Sequence, residues 1–183
     1  MSEGSGKAAA NTVLPQVLGF VFLSLLANGL VFGVADHGIH LTFLDAVLRP
    51  ERWDGDLLTE ASRHHHSLFW YLQAPFAAVL GPVAWTLLLH LTCLAATGLL
   101  VHRLTETLFD SSLAPPLALL LLAPSQAALG GVDTLDPLLL NRGAALPLEL
   151  LGLLLVLRHR ATGGFVLLGF AACLHVPSAA AAA

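Results

Sequence analysis

The chain has 183 residues, 56% of them hydrophobic and 11% charged, with a mean hydropathy of +0.79. Soluble domains usually carry about a quarter charged residues, so this composition excludes an ordinary water-facing surface and predicts an all-α polytopic transmembrane bundle. A scattered formal net charge of −4 gives no footing for a nucleic-acid partner, and two cysteines, Cys93 and Cys173, without pairing or metal-type spacing give none for a disulfide framework.

The chain opens on a polar, small-residue segment, residues 1–12, expected to be a disordered tail before one transmembrane domain over residues 13–183. Val13–Val34 is the first predicted span. It exceeds the roughly 7–15 apolar residues of a signal peptide and has no small-x-small cleavage site, so it is expected to be retained as a signal-anchor. Leu68–Leu80 and Pro82–Val101 follow, separated by Gly81-Pro82, with Pro82 suited to the first turn of a new helix. The second of these is the fuller span, and the first is expected to enter the membrane steeply or lie at its interface. Leu113–Leu129, interrupted by Pro115, Pro116 and Pro124, is a third span. Ala144–Leu157 is a fourth and Phe165–Ala183 a fifth, against a requirement of about 20 residues per crossing. The apolar run continues to Ala179–Ala183 with no charged or aromatic anchor, which predicts a domain truncated at its C-terminus.

Lys7, Arg103, Arg158 and Arg160 fall on one side of these spans. The positive-inside rule then gives a multi-pass protein of the cell inner (plasma) membrane with a cytoplasmic N-terminus. Arg49, Arg52 and Arg63 on the opposite side reduce the bias. Loops 35–66 and 130–143 lie together outside and hold nearly all the polar chemistry. Within the first, Ile39, Phe43, Leu44, Val47 and Leu48 recur at helical spacing and predict an interfacial amphipathic helix ended by Pro50. Trp53, Trp70 and Tyr71 suit the headgroup level.

Each polar candidate has a plain reading beside the functional one. Asp36 either ends a helix or acts as a general base at the membrane boundary. Asp54 and Asp56 form a turn or offer paired oxygens to a divalent cation. His64-His65-His66 cannot turn three consecutive imidazoles to one point on a helix, so a metal there needs Asp36 or His40 as well. His90 and Glu149, inside apolar segments, need a partner or a wet cavity. Haem ligation by His90 and His175 has no supporting motif. Arg142, in a loop with Asp133 and Asp136, is suited to phosphate or to snorkelling.

The order of these features resembles the amino-terminal part of bacterial GT-C-type polytopic membrane glycosyltransferases. The stretches that carry the resemblance are Asp36-His37-x-x-His40, Leu44-Asp-Ala-Val-Leu-Arg-Pro50, Trp53-Asp-Gly-Asp56 and Ser67-Leu-Phe-Trp-Tyr71. Gly130 to Pro137, Asn141-Arg142 and Leu174-His-Val-Pro177 continue it. The resemblance implies sugar transfer from a polyprenyl-phosphate donor, with Asp36 as base and with Asp36 and Asp56 meeting a divalent cation (Mg or Mn). It also implies His37, His40, Asp54, His66 and Asp136 around the substrate, and Arg142 or His175 near the donor phosphate. Two other readings stand beside it: a non-catalytic membrane subunit or fragment packed on a larger membrane partner, and a His-rich metal or haem protein.

Overall fold

The computed structural model describes residues 3–33, 36–62, 64, 67–126 and 134–176, with side chains from Thr12 onward. Among them all regular structure is helical. α1 (Glu3–Asn28) takes in the polar segment assigned to a tail and stops six residues before the expected end of the first span. Its end has a local cause. Gly29 adopts φ 75°, a left-handed conformation open to glycine, while its N–H still bonds Leu25.

α2 (Asp36–Leu48) is the expected helix of the first loop, begun one turn earlier. Pro50 opens a 3₁₀ turn (Pro50–Trp53), and this folds back because Asp45 accepts from Trp53 Nε1 at 2.8 Å and from Arg49 Nε at 2.8 Å. Burial raises the Asp45 pKa, but the Trp53 and Arg49 hydrogen bonds and the charges of Arg49 and Arg52 outweigh it and hold the carboxyl below its ordinary value. α3 (Leu57–Ser62) is capped by Asp56, whose Oδ1 accepts from the Thr59 N–H at 2.9 Å.

α4 (Phe69–Leu80) and α5 (Pro82–Leu108) divide at Gly81, φ 83°, with Pro82 in the first turn of the second helix as its fixed φ and missing N–H favour. At 27 residues α5 is about 40 Å long, and among the described residues it alone is long and apolar enough to cross a membrane. α6 (Ala114–Leu122) is much shorter than its predicted span, ending just before Pro124, and residues 127–133 lie outside the described chain. α7 (Asn141–Leu157) starts one turn earlier than expected. α8 (Ala161–Leu174) starts before Phe165, and residues 177–183 are again outside. The five-span expectation is thus met in its all-helical part, with one helix of spanning length rather than five.

The α7–α8 turn is a Schellman motif: Arg160 N–H bonds Leu155 C=O, His159 N–H bonds Val156 C=O, and His159 takes φ 59°. Beyond it the two helices meet backbone to backbone at Gly152 and Gly164. A Cβ on Gly164 would stand 2.7 Å from the Gly152 oxygen.

Two apolar clusters organise the bundle. In one, Phe20 of α1 packs on Leu94 of α5, Leu119 of α6 and Leu135, closing over Gly98, where a Cβ would sit 2.6 Å from the Phe20 ring. The other joins Phe43 and Leu44 of α2, Phe69 and Trp70 of α4, Leu139, Ala145 of α7, and Ala171 and Leu174 of α8. The outside also carries large apolar side chains: Leu14, Leu18, Phe22 and Leu26 form an exposed i, i+4 row along α1, and Phe165, Val166 and Phe170 are exposed on α8. The inside holds polar ones, with Ser24, Thr86, His90, Thr97, His102 and Glu149 all buried. Three of these, Thr86, His90 and Thr97, fall on a single face of α5.

Candidate functional site

Several of the polar side chains singled out in the two loops, Asp36, His37, Asp136 and Arg142 among them, lie at one end of the bundle, where α1, α6 and α8 finish and α2, α4 and α7 begin. Local chemistry fixes that end. Asn28 uses both halves of its amide, Nδ2 donating to the Ala123 carbonyl at 2.9 Å and Oδ1 accepting from the Ser125 N–H at 2.7 Å. These contacts satisfy groups that the end of α6 leaves open. Ser67 Oγ donates to the Leu174 carbonyl at 2.8 Å, and the Leu68 N–H bonds Cys173 C=O at the same distance, so the entry to α4 is tied to the exit of α8. His175, half-buried, is the residue immediately after that tie.

His37 is the innermost of the loop candidates, 5% exposed in the first turn of α2. Its Nδ1 accepts the Gly33 N–H at 2.9 Å, which assigns the neutral tautomer with the proton on Nε2. Burial, and then the nearby His90, push its pKa down to about 4, so the ring is neutral at physiological pH. Nε2 is buried and has no hydrogen-bond partner. His90, from the buried face of α5, lies within electrostatic reach of His37 on one side and Asp136 on the other. Asp136 in turn grips Arg142 in a two-pronged pair, Nε to Oδ2 at 2.7 Å and Nη2 to Oδ1. The structure therefore brings together a chain of groups running His37, His90, Asp136, Arg142, drawn from α2, α5 and the entry to α7.

Asp36 opens α2 directly beside this chain, and it is exposed. A carboxylate in the first turn also suits the helix dipole. His40, one turn on, accepts the Trp70 Nε1 proton on its Nδ1 at 3.0 Å and lies edge-on to Phe69, fastening α2 to α4. Asp54 and Asp56 are placed elsewhere. Trp53 is anchored at Asp45, nine residues along α2 from Asp36, so the acidic turn sits at the later half of that helix. One Asp56 oxygen is already spent on the α3 cap. Among the described residues no group of three or more His, Cys, Asp or Glu side chains is arranged to hold a metal ion. Asp36 opens α2, whereas Asp56 caps α3 beyond the other end of that helix. His66 and Asp133 lie outside the described residues, and His64 is exposed in a turn.

His90, expected from the sequence to need a partner or a wet cavity, lies within electrostatic reach of His37 and Asp136. Its only signal in the sequence is a titratable residue in an otherwise apolar run. Glu149 is likewise buried, two turns into α7. Comparison of the chain with known protein families, curated proteins and solved structures gave no match.

Proposed function

We propose that this chain is a membrane-embedded module of GT-C type that transfers a sugar from a polyprenyl-phosphate donor at the polar end of its bundle. The observation that carries the reading is the exposed Asp36 carboxylate next to buried His37, with buried His90 and the half-buried Asp136–Arg142 pair beyond it. Bulky apolar side chains outside and polar ones inside suit a bundle surrounded by lipid. The five-span arrangement belongs to this proposal, with α4, α6 and α8 crossing only in part.

In the reaction, an acceptor hydroxyl loses its proton to Asp36 as its oxygen attacks the anomeric carbon. The bond from that carbon to the lipid-phosphate oxygen breaks, and the phosphate leaves with the electron pair. Arg142 meets the charge that develops on it by exchanging part of its pairing with Asp136 for phosphate oxygens. His37 Nε2–H, neutral and without a protein partner, is a donor facing the interior beside that charge.

Asp36→Asn removes the base and is expected to cut transfer from a polyprenyl-phosphate sugar by about 10²–10⁴-fold, measured with radiolabelled donor in reconstituted vesicles. Full transfer by this variant overturns the assignment. A second reading, a non-catalytic subunit packed on a larger membrane protein, draws on the exposed Leu14, Leu18, Phe22 and Leu26 row, which fits a partner helix as well as lipid. Stoichiometric co-purification with such a protein, together with no donor-dependent activity, would select it.

A further inference from the structure

Between α1 and α5 runs an open groove of about 730 Å³ that starts at Leu91 and Thr92, just past His90 on α5, and leads to Arg103. Val13 lies 15 residues before Asn28 on α1, about 22 Å along the helix, so the groove leads away from the end that Asn28 marks. Val13 and Val17 form one wall, and Ala95 and Ala96 of α5 keep the floor low. Thr92 lines it too, but its hydroxyl is already spent on the Leu88 carbonyl at 2.8 Å. The remaining polar group in the lining is the guanidinium of Arg103 at the far end. From Thr92 to Arg103 the trough extends about 16 Å.

We propose that this groove holds an anionic phospholipid, one acyl chain lying over Ala95 and Ala96 and the headgroup phosphate meeting Arg103. Charge complementarity chooses the occupant. An apolar trough ending in a single cation matches a chain with a negative head, and a guanidinium offers five donors in a fork that fits phosphate oxygens. Arg103 is half-exposed and donates from Nη1 to Glu106 at 3.0 Å, which leaves further donors for a headgroup. A zwitterionic lipid has the same phosphate, but its ammonium cancels the net charge that Arg103 would attract. Glu106 competes for the same cation and sets how strongly the headgroup is held. The proposal rests on the reading of the chain as membrane-embedded and is independent of sugar transfer, whose base Asp36 and phosphate-binding Arg142 do not line the groove.

The test uses the full chain, purified in detergent, stripped of lipid and titrated with phosphatidylglycerol or phosphatidylcholine, with bound lipid counted by native mass spectrometry. Phosphatidylglycerol is expected to bind about fivefold more tightly, the effect of one basic residue on an anionic lipid. Arg103→Gln should abolish that preference and Glu106→Gln should increase it. Ala95→Leu with Ala96→Leu, which fills the trough, should reduce binding of both lipids. Equal binding of the two lipids by the unaltered chain, or a preference that survives Arg103→Gln, overturns the proposal. A chain released from membranes by alkaline washing overturns the membrane reading itself, so the two failures are distinguishable.

Discussion

His37 spends one nitrogen on the Gly33 N–H and keeps the other buried without a partner. A buried donor left unsatisfied costs about 1–3 kcal/mol, an expense that folding alone does not require. The same burial makes the residue acid-sensitive. Its folded pKa is about 4 against an ordinary 6.5, so between those values the unfolded chain binds more protons. Stability is therefore fully present above pH 6.5 and is lost as pH falls through 6.5 towards 4. The thermal midpoint of the detergent-solubilised protein should drop on acidification across that window, and His37→Gln should flatten the drop. An unaltered acid slope in the variant would remove His37 from this role. At this scale the sequence was only partly readable. The sequence offers Arg142 as a phosphate binder or a snorkelling anchor, and its pairing with Asp136, six residues away, comes from the structure. His37 and His90 are separated by 53 residues, and only the packing of α2 on α5 makes them neighbours.

Between helices, the tightest constraint is the α7–α8 crossing. A methyl on Gly164 would meet Val156 Cγ2 at 2.5 Å as well as the Gly152 backbone oxygen, and backbone cannot rotate aside. Gly164→Ala should thus force the helices apart and cost about 1–3 kcal/mol, read as a lower thermal midpoint. Gly169→Ala is the control: nothing lies within 4 Å of its added methyl, and replacing a helical glycine by alanine should be neutral or favourable by up to about 1 kcal/mol. Equal effects from the two substitutions would refute close packing at Gly164. Helix boundaries followed the sequence where a residue dictates backbone geometry on its own, as at Gly81-Pro82 and Pro50. They departed where a tertiary contact decides. At the end of α1 both act: Gly29 turns the backbone locally, while the Asn28 amide answers the distant Ala123 carbonyl and Ser125 N–H.

For the whole molecule, large apolar side chains are exposed on the outside as well as packed in the core, and several polar ones are enclosed. Leu14, Leu18, Phe22, Leu26, Val79 and Val166 face outward, while Thr97, His90, His102 and Glu149 are enclosed. Composition alone anticipated the helical class, since few charges and long apolar runs leave little else that a chain can build. The number of crossings was harder to read: Pro124 stops α6, and α4 is a separate 12-residue helix. Membranes from cells producing the chain should retain it after washing with alkaline carbonate, and recovery in the supernatant would rule out an embedded bundle.

The bond from Ser67 to the Leu174 carbonyl has a bearing on the order of events at the ribosome. Its partners are 107 residues apart, and at roughly 5–20 residues per second the second arrives some 5–20 s after the first. Throughout that interval α2 and α4 can already hold each other through His40 and Trp70, while the wall that α8 supplies is missing. The polar end is thus the last part of the bundle to close, and a nascent chain leaves His37 and His90 open on that side until α8 docks.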